Sequence, residues 1–165
     1  STRLNTLFPY TTLFRSSTGV SRMTRSRHHT AWAGALAVAA ELSRREYDVA
    51  ITLGNTPALD LICSSPTGKP FTVQVKSLSA SNWVLIPKHQ LEQVPRTDLF
   101  FVVVLVPMHE GRAFEFHVLT HAEVCAHYSK QRGVKKNGLP YKPGYEGLSW
   151  GDVRQHYGCW GKLPK

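Results

Sequence analysis

Asp60, Gln74 and Lys76 are the side chains whose types and spacing fit together best in this 165-residue sequence. They lie on two runs, ALDLICS (58–64) and PFTVQVKS (70–77), joined by Ser65-Pro66-Thr67-Gly68-Lys69, a composition that predicts a β-hairpin. Paired residues of an antiparallel hairpin have indices with a constant sum. A turn centred on Thr67 makes that sum 134 and sets Asp60 opposite Gln74; a slip of one residue would change the partner. Alternation along the strand then brings Asp60, Gln74 and Lys76 to one face, and leaves Leu59, Leu61, Val73 and Val75 to pack the other. A carboxylate and an amide oxygen suit a hard divalent cation such as Mg²⁺ or Mn²⁺, and a backbone carbonyl between Gln74 and Lys76 could add a third oxygen. Lys76 could stabilise charge on a phosphate or orient an attacking water. Together these are the parts needed to hydrolyse a phosphodiester.

The elements that must position them can be read on either side. AWAGALAVAAELSRR (31–45) is rich in Ala and Leu and carries two Arg at its end, which predicts a helix. A short strand follows over 47–52, then Gly54-Asn55-Thr56-Pro57 with turn chemistry. Beyond the hairpin, 83–86 fits a further short strand. The apolar, β-branched run 99–106 fits a central strand covered on both faces, with 114–119 as its neighbour. Thr120-His121-Ala122-Glu123 has capping-box spacing and should open a helix to about His127. Residues 130–147 are rich in Gly, Pro and Lys and read as a loop, and Ser149-x-x-Asp152 starts a short helix to about Tyr157. The fold class that follows is α/β, a mixed β-sheet flanked by helices.

The run ELSRREYDVAITLGNTPALDLICSSPTGKPFTVQVKS (41–77) resembles the PD-(D/E)XK nuclease superfamily, in the D…QxK subgroup where Gln replaces the second acid. It is especially similar to a group of uncharacterised bacterial proteins with a comparable first helix, a GN…D segment and a VQVK strand. The resemblance spans roughly 31–163. It implies a restriction-endonuclease-like core of αβββαβ type and a Mg²⁺- or Mn²⁺-dependent endonuclease acting on DNA. It also implies Asp60, Gln74 and Lys76 as catalytic residues, with Asp60 and Gln74 on the metal. The same pattern carries a Glu in the first helix that falls here on Ala35, and Glu41 lies about 240° further round the helix. A catalytically degraded module that binds DNA or a protein without cutting is therefore the alternative.

Plain structural readings stand beside these. Asp60 could be an ordinary acid at a strand start, Lys76 a solvated side chain and Gln74 a loop hydrogen-bonder. Asn55 could shape its turn or touch phosphate. Lys135, Lys136 and Lys142 could be a solvated loop or a grip on a phosphate backbone. Three cysteines without a C-x-x-C pair predict incidental thiols, not a disulfide framework. His117, His121 and His127 do not make a zinc site in this reading, because His117 lies in a strand and His121 at a helix start, and no Cys lies at ligand spacing. The four tryptophans read as core or loop anchors.

Of the formal charge of +9, residues 1–29 supply five Arg and no acid; elsewhere 15 basic residues face 11 acidic ones. That modest excess suits a polyanionic partner without establishing one. The segment 1–29 lacks periodicity and reads as disordered or non-native. Its TLFPYTTLFRS run (6–16) resembles a translated sequencing adapter, which would put the native start near Met23 and the domain at 30–165. No apolar run is long enough to span a bilayer. A cytoplasmic protein is the expectation, with its oligomeric state open and a homodimer possible.

Overall fold

The computed structural model describes residues 25–52, 60–109, 111–130, 138–139, 142 and 144–165. Helix α1 (Arg27–Ser43) leads into β1 (Asp48–Ile51), β2 (Asp60–Ser64) and β3 (Pro70–Leu78). After these come β4 (Val84–Leu85), the single-turn α2 (Lys88–Leu91), β5 (Leu99–Leu105) and β6 (Glu115–Thr120). Helix α3 (His121–Lys130), β7 (Gly147–Leu148), α4 (Trp150–Arg154) and a 3₁₀ turn (Trp160–Lys162) complete the described chain. Five strands form a mixed sheet in the order β1-β2-β3-β5-β6, antiparallel except for the parallel pair β3–β5. The class is α/β, as the sequence predicts. The middle strand is β3, and β5 lies one place towards the edge.

Helix α1 starts four residues before the predicted Ala31, because Ser26 caps it: its hydroxyl accepts from the His29 amide at 3.2 Å. The last three residues of the segment read as disordered thus belong to this helix, while the predicted start at Met23 lies outside the described residues. Arg44 and Arg45 fall beyond the helix end and instead hold Glu41, at 2.9 and 2.6 Å. Towards the end of the predicted 130–147 loop, Gly147 pairs with Leu85 and Leu148 with Val84, so β4 and β7 form a separate two-stranded sheet. The predicted helix 149–157 stops at Arg154. Its Ser149 cap accepts from the Asp152 amide at 3.2 Å, and the chain then turns to run beside β6.

Alternation divides the core in two. Leu61, Cys63, Phe71, Val73, Val75, Phe100, Val102, Val104 and Val118 face Val38 and Leu42 of α1. Burial there pushes the Cys63 thiol up to about 12. Leu99, Phe101, Val103 and Leu119 face the other way, onto Val84, Leu91, Val124, Leu148 and Val153. Strand β5 is buried on both sides, which explains why its sequence is a continuous apolar run and not an alternating one.

The C-terminal segment joins the two halves. Val153 packs in the second cluster, Trp160 and Leu163 in the first, and between them the chain passes the free edge of β6. The Val118 amide donates to the His156 carbonyl at 3.0 Å, and the Gly158 amide to the Phe116 carbonyl at 2.8 Å. A polar chain holds this passage. The Lys162 ammonium spends its three donors on Glu123 (2.7 Å), the Val118 carbonyl (3.1 Å) and His156 Nδ1 (2.7 Å). Nδ1 of His156 must therefore accept, which leaves its Nε2–H to donate to His127 Nε2 at 3.0 Å. His127 Nδ1 in turn faces Asp152 at 3.4 Å. The His156 imidazole is neutral in this arrangement.

Candidate active site

The hairpin has the register that its turn composition predicts. Ser65 N donates to the Lys69 carbonyl at 3.0 Å and Gly68 N to the Ser65 carbonyl at 2.8 Å, with Gly68 at φ 84°, a left-handed conformation that suits glycine. Tightening the turn around Thr67 pairs Ser64 with Pro70, Leu61 with Val73 and Asp60 with Gln74. Registered residues share a sheet face, so position 60 lies on the face of Gln74 and Lys76. The Asp60 side chain lies outside what is described.

Gln74 is enclosed, at 7% exposure, between position 60 and Phe101, its registered neighbour on β5. Its Oε1 makes no hydrogen bond among the described residues. Leaving such an oxygen unpaired costs about 1–3 kcal/mol, so the sequence maintains there an acceptor that the rest of the described fold does not use. Lys76 is half-buried two residues along the same face, beside its registered neighbour Val103 of β5. Towards the hairpin turn this face is open: Ile62 is 54% exposed. The arrangement therefore combines an enclosed oxygen donor and a half-buried lysine two residues along, with an exposed stretch of the same face beginning at Ile62.

Helix α1 covers the other face and fixes β3 from behind. A Cβ on Gly34 would fall 2.0 Å from Ser77 Oγ, so the helix backbone rests directly on the residue after Lys76. Ala35, where the resemblance would place an acid, is completely buried on this helix. Glu41 is committed to two arginines, and its carboxyl is held below the usual range, first by the hydrogen bond from Arg44. Neither residue supplies an acid to the Gln74 face.

The remaining predicted residues are not brought into this cluster by the described structure. Asn55, Lys135 and Lys136 lie outside the described residues, as do Leu59 and the Gly54–Pro57 turn. Lys142 is exposed, with its carbonyl accepting from the Tyr145 amide at 3.0 Å. His121 is saturated, its Nδ1 accepting from the Arg96 amide at 3.0 Å and its Nε2 meeting the Gln90 carbonyl at 2.7 Å. Among the described residues no group of three or more His, Cys, Asp or Glu side chains is placed to hold a metal. The sequence reading missed the seat of Gly34 on Ser77; a glycine inside an Ala-rich helix was its one available signal. Comparison with family models, with curated proteins and with solved structures found no match.

Proposed function

We propose that the protein is a Mg²⁺- or Mn²⁺-dependent DNA endonuclease with a restriction-endonuclease-like core, cutting phosphodiesters at the face carrying Asp60, Gln74 and Lys76. One observation carries the reading: a buried amide oxygen on Gln74, unpartnered among the described residues, in register with an acid and two residues before a lysine on the same face. The run of α1, the β1–β2–β3 meander and a parallel β5 is the order that the resemblance implies, although the β3–β5 crossover carries β4 and a single helical turn where the αβββαβ pattern has a helix.

The donor set fits a hard cation, with Asp60 and the Gln74 Oε1 as the residues that would hold it. When bound, such an ion supplies Lewis acidity and acidifies water for attack on phosphorus. Lys76 stabilises the negative charge that grows on the phosphate. Phe101 and Val103, beside Gln74 and Lys76 on the same face, exclude water from one side, which strengthens both interactions.

The burial of Ala35 favours a second reading, a nuclease-like module that binds nucleic acid or protein without cutting. Incubation of the protein with plasmid and single-stranded DNA in Mg²⁺ or Mn²⁺ separates the two. The endonuclease gives metal-dependent cutting that falls by about 10²–10³-fold in both Asp60→Ala and Lys76→Ala. Salt-sensitive DNA binding with no cutting supports the module instead. Neither cutting nor binding would remove both readings for DNA.

A further inference from the structure

A second site lies on the Gln74 face, where β5 gives way to β6 and α4 packs across them. It is a cleft of about 640 Å³ whose chemistry comes from Arg112, Glu115, His117, Trp150, Arg154 and Tyr157. This volume is within the usual range for small-ligand sites. His117 is 2% exposed, and among the described residues its ring nitrogens meet no side chain at hydrogen-bond distance; they face the Arg154 backbone and, at 4.0 Å, Glu115. Its ring packs edge-on to Trp150 at 4.8 Å and to Tyr157 at 5.6 Å.

Tyr157 is 63% exposed, but its backbone is not loose, because residue 157 forms a bridge with residue 117. An exposed aromatic ring on a fixed backbone is a stacking surface. Arg112 and Arg154 are exposed, and neither forms an ion pair among the described residues. Glu115 Oε2 lies 4.0 Å from His117 Nε2 and adds an acceptor at the cleft wall. An anion there belongs with the arginines, away from this carboxylate.

We propose that this cleft binds one unstacked nucleotide of a single-stranded segment. Its base would lie on Tyr157 and Trp150, its edge would meet His117 and Glu115, and its phosphate would meet Arg112 and Arg154. A phosphorylated peptide would use the guanidiniums but leave the imidazole and the carboxylate idle. The cleft is also in line with the proposed site. Lys76, Val103 and His117 form one cross-strand row, which separates Lys76 from His117 by two strand spacings, roughly 10 Å. A strand with its phosphate at Lys76 would pass around the side chains that cover Val103 to place a nearby nucleotide in the cleft. The preferred substrate would then be single-stranded or flapped DNA, not an uninterrupted duplex. That last step rests on the nuclease reading; the binding itself does not.

The test is fluorescence anisotropy with a fluorescein-labelled oligothymidylate and a labelled hairpin duplex, in EDTA so that nothing is cut. Both Tyr157→Ala and Arg154→Gln should weaken the oligothymidylate about tenfold, leave the duplex within about twofold, and keep the wild-type melting temperature; Tyr157→Phe should bind as wild type. Wild-type binding that both variants retain would overturn the site, even if the protein cuts DNA. So would a labelled phosphoserine peptide that binds more tightly than the oligothymidylate. Cleft-dependent binding without metal-dependent cutting would support this site and remove the nuclease reading.

Discussion

Gln74 is an amide in a position where a carboxylate would fit equally well, and the difference is electrostatic. A buried carboxylate with no cation would be costly, whereas the neutral amide leaves one oxygen without a partner among the described residues. If that oxygen is kept for a ligand, the protein sacrifices stability to keep it. Gln74→Met, which retains the shape and deletes the acceptor, should then stabilise the ligand-free fold by about 1 kcal/mol in urea denaturation. The same variant should lose metal-dependent cutting. A Gln74→Met protein that is less stable and still cuts would mean that the amide is structural.

At the scale of elements, the hairpin was legible because its signals were local. The turn residues 65–69 set the register, and the register alone set Asp60 opposite Gln74. The capping box was equally local: the Thr120 amide donates to Glu123 at 2.8 Å, and the Glu123 amide to Thr120 Oγ1 at 3.2 Å. What stayed hidden depended on contacts distant in sequence. The β4–β7 pair joins residues 84–85 to 147–148, and nothing in two dipeptides announces it. The cleft around His117 needed the passage of residue 157 along β6, which the sequence presents as the end of a helix. Gly34 shows how tightly the elements are set. Gly34→Ala should destabilise the protein by about 1–3 kcal/mol, since its Cβ would fall 2.0 Å from Ser77 Oγ and 2.8 Å from Ser77 Cβ. In a double-mutant cycle Ser77→Ala should relieve only part of that loss, because the Ser77 Cβ remains.

For the whole molecule, the polar chain that ties the C-terminal segment to α3 makes stability depend on pH. Burial, and then the charge of Lys162, hold His156 below the ordinary histidine range; burial does the same to His117. The unfolded chain takes up these protons near pH 6.5 while the folded chain resists them. Stability is therefore intact above that pH and declines as the pH falls through the lower folded values. Burial acts to raise Glu123, but the Lys162 and Thr120 hydrogen bonds outweigh it and hold the carboxyl low, so a second loss follows below about pH 4.3. Urea midpoints measured from about pH 8 down to 5 should fall along this curve, and His156→Gln should flatten it by up to about 1.4 kcal/mol per pH unit for that group. An unchanged slope would mean that the histidine does not report on folding.

The same passage of chain has a geometric consequence for self-association. Residues 156–158 occupy the outer hydrogen-bonding edge of β6, so β1 is the sheet's one outer strand with a single partner among the described residues. Stacking sheets end to end into a fibre needs two available edges per molecule, one to offer and one to receive. With one edge sealed, pairing through β1 can join only two copies about a two-fold axis, and growth stops there.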